Sequence, residues 1–218
     1  MTTWIVLRAA GIGAYLMLFA SVAWGLIATT SVFGKKVSKA TSVSVHQFVS
    51  TVALLLLGIH LGGLLLDTFV RFHPLDVLIP LHSAYLPVAT AFGVLAMYSV
   101  VIVLASSWTR KHVGPTWWRR LHLLTVPAFI LAMVHGVFAG TDTARPAMWW
   151  TYVATAAIVL FLVVLRGLTS GLRPQRHAVP VNARTPAADS TAPPKELAAV
   201  AAGIDDGEAA TGPLSRPR

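Results

Sequence analysis

From the amino terminus to about residue 170, long apolar runs alternate with short polar or proline-containing breaks. Five runs stand out, at residues 4–29, 43–66, 85–107, 117–140 and 148–168. About 20 apolar residues in a helix rise roughly 30 Å, the thickness of a bilayer's hydrocarbon core. The pattern therefore predicts an all-α, polytopic membrane bundle of about five transmembrane helices. The first run has features of a signal peptide, with Arg8 as a basic region and Ser21-Val22-Ala23 as a cleavage site. Its apolar character continues through Trp24, Leu26 and Ile27, so a retained helix is expected. Between the second and third runs, Val77, Leu78, Ile79 and Leu81 lie among Pro74, Pro80 and Pro87. This loop is expected to lie on the membrane surface or to cap a site. Residues 1–172 form the expected membrane domain. Residues 173–218, rich in Ala, Pro, Thr, Gly and charge, are expected to be a disordered cytoplasmic tail.

Composition supports the membrane assignment: 56% of the 218 residues are hydrophobic and 11% charged, against roughly a quarter charged in soluble domains. The net charge of +9 does not imply nucleic acid, because the excess lies within the membrane part. The only acidic residues before the tail are Asp67, Asp76 and Asp142, whereas basic residues gather at the ends of the runs. Lys35, Lys36 and Lys39 fill the first connection; Arg110, Lys111, Arg119 and Arg120 the third; Arg166, Arg173 and Arg176 the final exit. Basic connections stay in the cytoplasm, so a cell-membrane protein with its amino terminus outside and its carboxyl terminus inside is expected. All seven tryptophans fall near run ends, where interfacial belts form. The absence of cysteine excludes thiolate-ligated metals, iron–sulfur clusters and covalently attached haem.

Four histidines sit inside the runs, and in only two of them: His46 and His60 in the second, His122 and His135 in the fourth. Ionisable residues at membrane depth are costly and are candidates for function. The second and fourth runs cross in the same direction, so His46 shares a side with His122 and His60 with His135. Spacings of 14 and 13 residues correspond to rises of about 21 and 19.5 Å. Two stacked haems, each bridged by one histidine from each run, fit this arrangement. The alternatives are polar residues satisfied by neighbouring helices, or parts of a proton path. On a straight helix, 14 residues return to within about 40° of one face, but 13 leave the two histidines about 140° apart. Pro127 lies between His122 and His135 and can kink or rewind the helix. Gly58, Gly62, Gly63, Gly136 and Gly140 are small enough to admit a porphyrin face, or to let helices approach closely. His73, His82 and His112 read as ordinary interfacial residues.

The H-x13-H and H-x12-H patterns two helices apart resemble the ferric reductase-like transmembrane domain. That domain is shared by NADPH oxidases, ferric reductases and the haem subunit of bacterial methionine-sulfoxide reductase systems. The run from Trp117-Trp118-Arg119-Arg120-Leu121-His122 through His135-Gly136 is similar to the family's second ligand helix, particularly in small bacterial members made of the membrane domain alone. The resemblance implies two b-type haems, with iron held by His46 with His122 and by His60 with His135. It also implies a place for Arg8 beside the outer haem. On physical grounds Arg8 calls for an anionic partner such as a propionate, or snorkels to the headgroups.

The oxidases' additional histidine, one turn beyond the outer ligand, falls at Leu64 here, so the resemblance does not extend to superoxide production. The family's flavin and nicotinamide domain has no counterpart in these residues. The implied function is oxidoreductase electron transfer from a cytoplasmic flavin reductase or flavoprotein to an external acceptor. A haem-free transporter or proton pathway, or a membrane scaffold, remain the alternatives.

Overall fold

The computed structural model describes residues 2–30, 38–68 and 71–171. All belong to the unit Met1–Arg173; the second unit, Pro174–Arg218, lies outside the described residues, and with it the expected disordered tail. Lys35 and Lys36 also lie outside them.

Among the described residues there are eight helices and no strand: α1 Thr2–Thr30, α2 Lys39–Leu66, α3 Pro74–Leu78, α4 Pro87–Trp108, α5 Arg110–Val113, α6 Pro115–His122, α7 Thr125–Ala139 and α8 Pro146–Gly171. Helices α1, α2, α4 and α8, and α6 with α7 taken together, are long and apolar enough to cross a membrane. The chain is thus an all-α multi-pass membrane bundle.

Local chemistry marks the helix starts. Proline opens α3, α4, α6 and α8, where its fixed φ suits the first turn and its missing N–H is not needed. Ser38 caps α2 by accepting a hydrogen bond from the Thr41 amide at 3.0 Å. Between α5 and α6 the backbone at Gly114 has φ +80°, which glycine adopts without strain.

The helices associate as two antiparallel pairs, α1 with α2 and α4 with α7, joined where α1 packs against α7 and α8. At that junction Tyr15 stacks on Phe129 at 5.7 Å between ring centroids and meets Tyr152 edge-on at 5.3 Å. The Tyr15 hydroxyl is bonded to Thr155. Phe129 is the most deeply enclosed large side chain, and Val22, Leu26, Val159 and Leu162 complete the cluster.

The fourth span is not one continuous helix. Pro127 has no N–H to offer the Leu123 carbonyl, and the Val126 amide takes that carbonyl at 3.2 Å. The His122 carbonyl, which Val126 would otherwise bond, accepts from the Thr125 hydroxyl at 2.9 Å. Leu124 likewise reaches back three residues, to Leu121 at 3.0 Å. Each residue in such a tight turn rotates about 120° rather than about 100°, so three or four recover roughly 60–80° of the phase mismatch. His122 and His135 consequently line one cavity.

Candidate haem-ligand site

That cavity, of about 1340 Å³, is lined by His46, His60, His122 and His135 together. It exceeds the roughly 1,000 Å³ upper range of pockets for single small molecules. The histidines separate into two levels. The rings of His46 and His122 are 6.0 Å apart at one level. At the other, His60 lies beside Leu7, and His135 beside Ala89 and within electrostatic reach of His60. The pairing expected from helix direction is the one seen.

Hydrogen bonds fix the protonation of three rings. His60 Nδ1 is 3.1 Å from the Leu7 carbonyl and His135 Nδ1 is 2.8 Å from the Ala89 carbonyl. A carbonyl only accepts, so both Nδ1 atoms carry hydrogen and both Nε2 atoms keep a free lone pair. For His46 the same result follows through two serines. Ser50 donates to the His46 carbonyl at 2.7 Å, so Ser21 must donate to Ser50 at 2.8 Å. The Ser21 oxygen is then left to accept from His46 Nδ1 at 3.5 Å. A ring N–H held in this way is how proteins orient imidazole ligands and raise their basicity. His122 differs: its Nδ1 is enclosed and has no partner among the described residues.

Glycines on the neighbouring helices seat the rings. A Cβ on Gly11 would stand 2.9 Å from His60 Nδ1, and one on Gly93 would stand 2.8 Å from His135 Nδ1. Gly25 sits opposite His46 with more room, 3.7 Å to Cε1. Leu7 with Gly11, and Ser21 with Gly25, are the same two-residue seat repeated after 14 residues, matching the spacing of His60 and His46. These glycines are absent from the sequence-level candidates, although the G-x13-G of α1 mirrors the H-x13-H of α2. Of the glycines expected to admit a porphyrin, Gly136 and Gly140 line the cavity. Gly63 packs against Leu7, and Gly58 and Gly62 have nothing near the position of a Cβ.

Arg8 lines the cavity and finds its anionic partner within the protein. Its Nε donates to Asp142 Oδ2 at 3.0 Å, its Nη2 donates to Oδ1, and Arg145 Nε reaches Oδ1 at 3.2 Å. Two guanidinium groups share this carboxylate, and a second carboxylate, that of Asp67 at the end of α2, also lines the cavity. At the His46–His122 end, Lys39, Arg110, Arg119, Arg120 and Arg166 line the cavity, and among the described residues no acidic one lines it there. His73, His82 and His112 do not line it.

Comparison with family models, with curated proteins and with solved structures finds no match for the chain.

The donor set can be judged chemically. Among the described residues no three histidines or carboxylates converge as a metal cluster. A pair of imidazoles is too few for a bare zinc ion, which takes three or four protein ligands. It is the number that fills both axial positions of a metal already held by a macrocycle. The 6.0 Å between the His46 and His122 rings accommodates one metal atom bonded to each at about 2.0–2.1 Å. Three free Nε2 lone pairs, glycine seats, cavity size and the cationic lining beside His46 and His122 fit anionic porphyrins.

Proposed function

We propose that this chain is a diheme b-type membrane protein that carries electrons from a cytoplasmic reductase to an external acceptor, in the manner of ferric reductase-like domains. The observation that carries this reading is the pairing of four histidines at two levels of one cavity, three of them with Nδ1 fixed and Nε2 free. His46 and His122 would hold the inner haem, and His60 and His135 the outer one. Each bound haem supplies an Fe(II)/Fe(III) couple whose potential its axial ligands set.

The protein's own part is to hold imidazoles still and to balance charge. Carbonyl and serine partners stop three of the rings from turning, and the cationic lining at the His46–His122 end offers partners to propionates. A proton pathway on the same histidines is less well served. The Nδ1–H groups of His60 and His135 end on backbone carbonyls, which accept a hydrogen bond but cannot pass a proton onward.

With basic connections inside, the amino terminus lies outside and the carboxyl terminus in the cytoplasm. The His46–His122 level then faces the cytoplasm, and Arg110, Lys111, Arg119 and Arg120 form the docking face for an acidic flavoprotein. Protein purified after expression with ample haem should contain close to two haems per chain, with a low-spin, six-coordinate b-type spectrum. A well-folded chain free of haem under those conditions would overturn the proposal.

A further inference from the structure

The four imidazoles are not held alike. His60 and His135 rest on backbone carbonyls, and His46 on the Ser21–Ser50 pair. A fourth seat is traceable on α4, where the 14-residue step that relates the two seats on α1 leads from Ala89 and Gly93 to Val103 and Ser107. That seat is already taken. The Val103 carbonyl accepts from both the Ser106 and Ser107 hydroxyls at 2.8 Å. A serine stands where His135 has a glycine, and its oxygen lies 3.4 Å from the Trp118 indole nitrogen. Among the described residues the enclosed Nδ1 of His122 has no partner.

Aromatic packing stands in the place of that bond. Trp118, one turn before His122, lies 5.2 Å from it between ring centroids, with the planes inclined by 31°. The guanidinium of Arg110 covers the Trp118 ring at 4.2 Å, a cation–π contact. Arg110, Trp118, His122 and His46 form a continuous run of contacts from the basic connection to the inner histidine pair, the last of them edge-on. His122 is also the last residue of α6, beside the break at Leu123 and Leu124. Its backbone thus belongs to the least regular part of the span, whereas His135 lies well within α7.

We propose that Trp118, covered by Arg110, is the positioning residue for His122, and that His122 is the ligand that lets go first. Stacking constrains a ring less than a hydrogen bond to a fixed carbonyl, because it leaves sliding and rotation cheap. The consequence is a functional asymmetry. The inner pair can open a coordination position to a small neutral ligand such as carbon monoxide, while the outer pair stays closed. This rests on the haem-ligand reading above.

The test uses the full chain loaded with haem, comparing Trp118→Phe and Trp118→Leu with wild type. Trp118→Phe keeps an aromatic face and should retain two low-spin haems. Trp118→Leu should convert one of the two haems to a high-spin form that binds carbon monoxide, leaving the other unchanged. Two low-spin haems that ignore carbon monoxide in Trp118→Leu would overturn the proposal while leaving the ligand reading intact. Wild-type protein without haem would instead remove the ligand reading itself. A second measurement needs no change at Trp118. Reduced wild-type protein is warmed under carbon monoxide, and the haem that opens first should be the one missing from His46→Ala. If the first to open is the haem missing from His60→Ala, the proposal is wrong.

Discussion

At the scale of single residues, the His60–His135 pair is defined as much by what is missing beside it as by the histidines themselves. Gly11 and Gly93 leave room for rings that come closer than any Cβ allows, at 2.9 and 2.8 Å, whereas Gly25 leaves 3.7 Å opposite His46. Gly93→Ala should therefore displace His135 from the Ala89 carbonyl and remove most of the outer haem, while Gly25→Ala should keep both haems. Haem content of the two purified variants checks this, and equal retention in both would contradict it. The four cavity histidines were legible in the sequence because ionisable residues in apolar runs are conspicuous. The glycine seats were not, because glycine in a membrane helix is common and only the neighbouring helix shows what it faces. Arg8 announced its need for an anion, but its partner Asp142 lies 134 residues away, and no local pattern connects the two.

At the scale of elements, hydropathy found all five spans but placed some starts wrongly. The third, fourth and fifth begin at Pro87, Pro115 and Pro146 rather than at residues 85, 117 and 148, since an apolar average ignores where φ is preset. The more consequential element is the break in the fourth span. Restoring an N–H at residue 127 by Pro127→Ala should let Leu123 regain its ordinary partner and rewind α6 and α7 as one helix. His122 would then return toward the roughly 140° offset of a straight helix. The inner haem should be lost and the outer one kept, read as a fall from two haems per chain to one; two retained haems would show that the phase is set elsewhere.

The loop before α4 holds α3, which places Val77 against the cavity. Here the Asp76 carboxylate accepts from the His82 ring at 2.7 Å and from the His73 amide at 2.8 Å. Those bonds, His82 first, hold its pKa below the ordinary carboxylate value. A carboxyl depressed in the folded state stabilises the loop at all pH above its unfolded value, and the contribution is lost as pH falls through the folded value. Amide exchange protection at Asp76 and Ile79 should persist through pH 4 and decline at lower pH, a decline that Asp76→Asn should not show. Protection in the wild type that ignores acid would contradict the cap.

At the scale of the whole molecule, two antiparallel helix pairs hold one histidine couple at each of two levels, with cationic lining at the His46–His122 end of the space between. Helix direction and spacing were enough to foresee which histidine meets which; the size of the cavity and the unequal anchoring of the rings needed the folded chain. The most direct test of the account is the haem content of the four single variants His46→Ala, His122→Ala, His60→Ala and His135→Ala, resolved by low-temperature spectra of each purified protein. The account predicts that His46→Ala and His122→Ala lose the same haem, that His60→Ala and His135→Ala lose the other, and that each keeps close to one haem per chain. Loss shared between His46→Ala and His60→Ala, or four variants with unchanged haem content, would contradict it.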